Sequence, residues 1–273
     1  MQTTSAAKTT KTPKTLFSVV ATPIGNLEDI TLRAIRTLKE ADLVLCEDTR
    51  VTRTLFQKYG ISTPTLSYHA RSTMSKVETI LEMLASPAVT SEDPEKNGGK
   101  TKKVALVSDA GTPGISDPGA LLVAKIRERF TAEIASGEMK IEAIPGPSAF
   151  VAALSIAGVP CADFTFLGFL PHKKGRETLF KEMVASDRTT IFYESPHRIL
   201  KTLEALDKEL ATFSASSSAS ISKKLVIGRE LTKVFEEIIR GTPVELTFFF
   251  KNNPEKIRGE FVVIVAPQIN EMK

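Results

Sequence analysis

The chain has 273 residues, 42% of them apolar, enough for one large or two small domains with a substantial core. Thirty-six basic residues against 32 acidic ones leave a formal net charge of +4, which permits a nucleic-acid partner without demanding one. No stretch approaches the ~18 consecutive apolar residues of a membrane span. The two cysteines, Cys46 and Cys161, sit in no CxxC or Cys/His cluster, which argues against a disulfide framework and a zinc site. Both are expected to be free, buried thiols in a reducing compartment. Residues 1–15 are Thr/Lys-rich with no apolar stretch, so they are expected to be a disordered basic tail and not a secretory signal. A cytoplasmic location follows as the expectation.

Strand and helix patterns alternate through the first half. Residues 16–20 read as a strand, 29–41 as an amphipathic helix, 42–47 as a strand and 50–59 as a helix closed by Gly60. A helix over 74–84 precedes a strand at 104–108, a helix at 119–130, a strand at 141–144 and a helix at 148–158. Strand runs alternating with helices of this length imply parallel βαβ units. The second half reads as strand 164–170, helix 176–185, strand 189–194, helix 197–210, strands 225–231 and 234–241, helix 243–252 and a closing strand at 259–267. The fold class is therefore α/β with two α/β domains, an N-terminal one over 16–158 and a C-terminal one over 159–267, the second with a partly antiparallel sheet. Residues 268–273 form a tail. Residues 86–103 and 212–224 are polar, Ser/Gly/Lys-rich and without period, and read as surface loops.

Three loops share an unusual density of proline and glycine. "ATPIGN" follows the first strand, "DAGTPG" the strand at 104–108, and "PGPSA" the strand at 141–144. Each stands at the carboxyl end of a parallel strand, the edge where open α/β sheets bind ligands. Glycine allows close backbone approach, and proline lowers the entropy lost on ordering a loop. Helix starts alone explain part of the pattern: Asp117 before Pro118 makes a good N-cap with proline at N1, and Gly146-Pro147 does the same for the next helix. GxxxxGK[ST] is absent, and so is GxGxxG after the first strand, which disfavours a P-loop NTPase and a standard dinucleotide fold. The loops suit a ligand read by backbone amides and carbonyls. Asp109 either accepts a hydrogen bond from it or caps its own loop.

The segments "VATPIGNLEDITLRAIRTLKEADLVLCEDTR", "ALVSDAGTPGISDPG", "IPGPSAFVAALSIAG", "FLGFLP", "FYESPHR", "GRELTKVFEE" and "GEFVVIVA" occur in that order. Together they resemble the ribosomal RNA small subunit methyltransferase I family, a branch of the tetrapyrrole-methylase-like, class III S-adenosylmethionine-dependent methyltransferases. The resemblance runs from about residue 16 to 267. "SDAGTPGISDPG" and "YESPHR" separate this branch from the porphyrin, cobalamin and diphthamide enzymes of the same fold. The resemblance implies two α/β domains with the cofactor, S-adenosyl-L-methionine, in the cleft between them. It implies a homodimer. It implies methyl transfer to the ribose 2′-oxygen of a cytidine in the decoding region of 16S rRNA, with the small ribosomal subunit as partner and no membrane. By motif position it implies cofactor contacts from Pro23, Asp109, Ala110, Gly111, Ile115, Ser148, Ala149, Tyr193 and Leu231.

Other residues gain meaning beside it. Glu47, Asp48 and Arg50 in "EDTR" place three charges at a sheet's carboxyl edge, to orient a ribose or phosphate, or to form a salt-bridged helix start capped by Thr49. His69 in "SYHARS" is a candidate base or phosphate contact, although relatives more often carry an Asn-containing loop at this point. These four are the catalytic candidates. "PHKKGR" supplies His172, Lys173, Lys174 and Arg176 as candidate RNA contacts, with a steep salt dependence expected. Glu194 and Arg198, like Arg229 and Glu230, shape a cleft or form buried ion pairs; no nucleophile elbow is present. No metal-ligand spacing occurs, and no metal is expected. Tryptophan is absent and tyrosine scarce, so an aromatic platform for single strands is not expected, and recognition falls to RNA shape and phosphates. Two alternatives stay open: a same-fold methylase acting on a tetrapyrrole or other small molecule, and a non-catalytic RNA-binding module.

Overall fold

A computed structural model describes residues 12–86, 100–216 and 223–267. They form two compact units, one comprising the chain to Pro23 and Leu27–Pro147, the other Ile24–Asn26 and the chain from Ser148. Both are α/β, as the strand and helix patterns indicate.

The first unit holds β1 (Thr15–Val20), α1 (Leu32–Glu40), β2 (Leu43–Cys46), α2 (Thr49–Tyr59), β3 (Thr65–Ser67), α3 (Met74–Ala85), β4 (Lys102–Leu106), α4 (Ala120–Arg129), α5 (Thr131–Ala135) and β5 (Met139–Ile144). Its five strands lie in the order β3-β2-β4-β1-β5, all parallel. Alternate residues of each strand point to opposite faces. On one face Ala105, Val107 and Val44 pack with α1 and α2; on the other Val104, Leu106 and Leu45 pack with α3 and α4. Connections after β1 and β2 therefore cross one face, and those after β3 and β4 the other. The loops leaving β2 and β4 diverge, which opens a crevice at the carboxyl ends of those strands.

The second unit holds α6 (Ala149–Ala157), β6 (Phe164–Phe169), α7 (Arg176–Ala185), β7 (Thr189–Glu194), α8 (Ile199–Ser216), β8 (Lys223–Arg229), β9 (Glu237–Gly241), α9 (Pro243–Asn252) and β10 (Phe261–Pro267). Strand order is β6-β7-β10-β8-β9, with β6–β7 parallel and the other pairs antiparallel. Phe261, Val263 and Val265 of β10 face α7, α8 and α9, while Val262 and Ile264 face α6.

Several expectations shift. Helix α6 packs on the second sheet, so the units divide at Pro147–Ser148 and not after Gly158. β3 and α5 escaped notice because one is three residues long and the other continues α4 beyond a break at Phe130. Order begins ahead of residue 16, since the Lys14 amide donates to Glu138 O at 2.7 Å and Thr15 opens β1. Lys102 and Lys103, expected in a loop, pair with Thr15 and Leu16. Both ends of the loop expected over 212–224 belong to regular elements: α8 runs to Ser216, and Lys223 and Lys224 pair with Pro267 and Ala266. Residues 1–11, 87–99, 217–222 and 268–273 lie outside the described residues. Cys46 is buried, but Cys161 is exposed, in the connection between α6 and β6. No helix among the described residues is long and apolar enough to cross a membrane.

The expected cap of α4 also moves. The helix opens at Ala120 with Gly119 at the N-cap, φ +136°, and not at Asp117-Pro118. A Cβ at Gly119 would stand 3.1 Å from Leu106 Cδ2 and 3.3 Å from Gly114 N. Strain and crowding thus combine in the loop after β4. Gly119→Ala is expected to lower stability by about 1–3 kcal/mol, read as a lower urea midpoint; an unchanged midpoint would show that the loop relaxes freely.

Candidate active site

The three Pro/Gly loops follow β4, β1 and β5, which are neighbours in the sheet. Their backbones are knitted together. Thr22 N donates to Gly111 O at 2.8 Å and Gly111 N donates to Thr22 O at 3.0 Å, an antiparallel bridge between the loops after β1 and β4. Thr22 Oγ1 donates to Ser108 O at 3.0 Å, and Thr112 Oγ1 to Pro147 O at 3.2 Å. Gly146 sits so close to the end of β1 that a Cβ there would meet Ala21 Cβ at 3.0 Å. Pro23 is buried and lines one small cleft with Thr22, Thr52, Ser108 and Asp109. Gly111 is buried in the bridge, whereas Ala110 and Ile115 are exposed. Ser116, the next residue, adopts φ +62°, a strained value outside glycine.

The charged candidates surround the crevice between β2 and β4. Asp48 N donates to Asp109 Oδ1 at 2.9 Å, which ties the two strand ends together. Asp48 itself, and not Thr49, caps α2: its carboxylate accepts from Arg50 N at 2.8 Å. It also pairs with the Arg50 guanidinium at 2.6 Å. The hydrogen bonds from Arg50 bring its pKa down to about 2. Glu47 is the opposite case. Burial first, and then the charge of Asp109, push its carboxyl above the ordinary glutamate value, with His69 partly offsetting them. Asp109 is also raised, chiefly by burial. His69 is exposed, and its Nδ1 accepts from Arg71 N at 3.2 Å, which assigns the proton of the neutral ring to Nε2. Glu47, Asp48, Arg50, His69 and Asp109 thus form one group.

In the second unit, Ala149, Tyr193 and Leu231 share one apolar cluster on the α6 face of the sheet. Ser148 occupies the N-cap of α6 without a side-chain capping bond. Leu231 is flanked by two more strained residues, Glu230 at φ +49° and Thr232 at φ +64°. The tip of the loop after β1 belongs to this unit: Asn26 N donates to Thr232 Oγ1 at 2.9 Å. Strain of this kind costs about 1–3 kcal/mol per residue and gathers at ligand sites. Here it brackets Leu231 and follows Ile115.

The basic run divides. His172, Lys173 and Lys174 are exposed and make no ion pair with a described carboxylate. Arg176 turns inward. Its Nη2 donates to Glu194 Oε2 at 2.9 Å and to Thr202 Oγ1 at 2.5 Å. Arg198 Nε stands 2.7 Å from Glu194 Oε1, so one fully buried carboxylate holds two arginines. Arg229 pairs with Glu237 at 3.1 Å, and Glu230 with Lys233 at 3.0 Å. "YESPHR" thus supplies a buried ion cluster.

A family model described as Tetrapyrrole (Corrin/Porphyrin) Methylases matches residues 17–247. A protein of Thermotoga maritima named Ribosomal RNA small subunit methyltransferase I is 39% identical over 91% of this chain and 96% of its own length. A protein of the same name from Xylella fastidiosa is 41% identical over 93% of this chain and 82% of its own length. The chain belongs to the ribosomal RNA small subunit methyltransferase I family of tetrapyrrole methylases. Among solved structures, the methyltransferase CobJ superposes with a TM-score of 0.59 at 19% identity, over 96% of this chain and 97% of that one. The cobalamin biosynthetic enzyme cobalt precorrin-4 methyltransferase gives 0.55 at 18% identity, over 93% of this chain and 95% of that one. These likenesses show the shared fold.

One feature of this family member was missed in its sequence. Phe150, Phe164, Phe166, Phe169 and Tyr193 gather on the α6 side of the second sheet. Phe164 and Phe169 are 39% and 41% exposed. Tryptophan is absent and tyrosine scarce, but phenylalanine also offers a π-face. Alternation in "FTFLGF" was the available signal.

The Glu194 cluster makes a measurable prediction. Burial alone would raise the Glu194 pKa, but hydrogen bonds from Arg176, Thr202 and Ser195 N and the charge of Arg198 bring it below the ordinary value. A lowered carboxyl pKa adds stability that is complete above the unfolded pKa and lost as pH falls through the folded one. Glu194→Ala leaves two arginines partly buried without their carboxylate and is expected to cost about 3–5 kcal/mol near neutral pH. Below the ordinary glutamate pKa of about 4.3 the gap to wild type should narrow. Urea unfolding at several pH values measures both; a gap independent of pH would contradict the assignment.

Proposed function

We propose that the chain transfers a methyl group from S-adenosyl-L-methionine to the ribose 2′-hydroxyl of a cytidine in the decoding region of 16S rRNA, within the small ribosomal subunit. The observation that carries the reading is the identity of 39–41% to proteins named for rRNA small subunit methylation, over more than 90% of the chain. Identity to the solved cobalamin biosynthetic enzyme is 18%, which favours RNA over a tetrapyrrole substrate. A cytoplasmic homodimer is part of the proposal. Exposed apolar side chains, Val234 at 93% and Phe235 at 73%, offer it surface to bury.

The first unit suits the cofactor. Loops with close backbone approach at Gly146 and Gly111, an acidic acceptor at Asp109 and an exposed apolar side chain at Ile115 match a ligand with polar edges and an apolar body. Pro23, Asp109, Ala110, Gly111 and Ile115 would hold it there, with Ser148, Ala149, Tyr193 and Leu231 contributing from the second unit. When bound, S-adenosyl-L-methionine supplies an electrophilic methyl group on a sulfonium sulfur.

The chain's own task is to align the ribose oxygen and take its proton. Positioning supplies roughly 7–11 kcal/mol in favourable cases. Of the four catalytic candidates, Glu47 fits the proton acceptor. Asp48 is too weak a base with a pKa of about 2, and Arg50 stays protonated. His69 would have to give up its bond from Arg71 N to accept at Nε2. Glu47 is half-buried with a raised pKa, which makes it a stronger base than an exposed carboxylate. Arg50, paired with Asp48 but with its side chain 88% exposed, would meet a phosphate from that pair while Asp48 caps α2. His172, Lys173 and Lys174 would neutralise further phosphates.

Incubation with labelled S-adenosyl-L-methionine and small subunits lacking the modification tests the reading. Label in an alkali-stable, nuclease-resistant dinucleotide is expected; label only in a small molecule would refute it. Glu47→Gln is expected to lower kcat about 10²–10⁴-fold without changing cofactor affinity. The wild-type rate should rise with pH through the raised Glu47 pKa and then level off. An unaffected variant would remove Glu47 from the chemistry.

A further inference from the structure

β6 is interrupted where it meets the basic run. Its pairing with β7 shifts register between Phe166 and Phe169, and Gly168 in the gap adopts φ +64°. In an unbroken strand residues 166 and 169 face opposite sides of the sheet. The bulge turns Phe169 back. The Phe166 ring meets Tyr193 edge-on with centroids 5.1 Å apart, and the Phe169 ring meets Tyr193 at 5.3 Å. Phe166 in turn stacks on Phe150 at 4.3 Å. The neighbours Leu167 and Leu170 pack into the core on the other face. An exposed ring is thus braced from behind by aromatic contacts.

The backbone just beyond it is pinned. Arg198 Nη1 donates to Leu170 O at 2.9 Å, and Arg176 Nη1 donates to Pro171 O at 3.2 Å. Both guanidiniums are joined through the buried Glu194 carboxylate. Two consecutive carbonyls between Phe169 and His172 are therefore held by one ion cluster. It holds the backbone between a 41%-exposed ring and the exposed cations Lys173 and Lys174, which follow it in the chain by four and five residues.

We propose that Phe169 is a stacking surface for the base of an unpaired nucleotide of the RNA substrate, with Lys173 and Lys174 taking its flanking phosphates and Glu194 acting as the positioning residue of this lip. The proposal rests on the rRNA reading above. An aromatic face beside cations is the combination by which proteins hold single strands, since stacking is tolerant of sequence and the phosphates are met by charge. The bulge aims the ring, and the clamp pins the backbone that leads from it to the cations.

The test uses the full-length protein with Phe169→Ala and Phe169→Tyr. Three quantities are measured: KM and kcat on small subunits lacking the modification, affinity for S-adenosylhomocysteine by calorimetry, and thermal midpoint. Phe169→Ala is expected to raise KM for subunits about 5- to 100-fold, with cofactor-product affinity and midpoint close to wild type. Phe169→Tyr, which keeps the ring, should restore KM. Lys173→Glu should raise KM as well and flatten its dependence on salt. A Phe169→Ala enzyme with wild-type KM overturns the inference and leaves the rRNA reading standing. A loss of S-adenosylhomocysteine affinity matching the loss in kcat/KM also overturns it, because the ring would then belong to the cofactor. A wild type that leaves subunit RNA unlabelled removes the reading itself.

Discussion

Two backbone hydrogen bonds, between Thr22 and Gly111, join the loops after β1 and β4 at the carboxyl edge of the first sheet. They exist because β4 and β1 are adjacent in the sheet although far apart in the chain. Once the loops after these strands are bridged, their prolines and glycines make sense. A short antiparallel bridge at a strand's carboxyl end requires both chains to turn at once, which glycine permits and proline pre-orders. The loop after β5 joins through the close approach of Gly146 to Ala21. The edge presents a surface of mutually bonded backbone groups, and side chains such as Asp109 and Glu47 are set on it.

Charge is handled differently in the two units. At the crevice between β2 and β4, acidic groups crowd with limited compensation, so burial and mutual repulsion raise Glu47 and Asp109. Such a site disfavours the charged form and thereby strengthens it as a base. Around Glu194 the buried carboxylate is met by hydrogen bonds from Arg176, a threonine hydroxyl and an amide and by the charge of Arg198. Breaking such a cluster is costly, while its net contribution to stability is small. Its value lies in geometry, since it fixes the carbonyls of Leu170 and Pro171.

Most of this fold was legible because its strands are apolar, its helices carry a helical period, and Gly60 closes α2 where its cap requires. The Pro/Gly loops were legible for the same local reason. What escaped depends on contacts distant in sequence or on short exceptions to a period. β3 has only three residues to display alternation. Arg176 reads as one more cation in "PHKKGR" until the fold brings Glu194, 18 positions on, within 2.9 Å. Phe169, three residues after Phe166, falls on the opposite face of a regular strand, and only the bulge at Gly168 returns it to the α6 side. The cap of α2 was placed one residue late because Asp48 and Thr49 are both good capping types, and only geometry separates them. The unit boundary fell after α6 because nothing local tells which sheet a short apolar helix will cover.

The central question is whether the bridged loops of the first unit bind the cofactor. Calorimetric titration of S-adenosylhomocysteine into wild type and into Gly146→Val addresses this directly. The valine side chain would push the loop after β5 away from Ala21 at a solvent-exposed glycine, without removing any polar group. The account predicts saturable binding by wild type and affinity at least about tenfold weaker, or 1.4 kcal/mol, in a variant that keeps its cooperative unfolding. Equal affinity in the two proteins would contradict it.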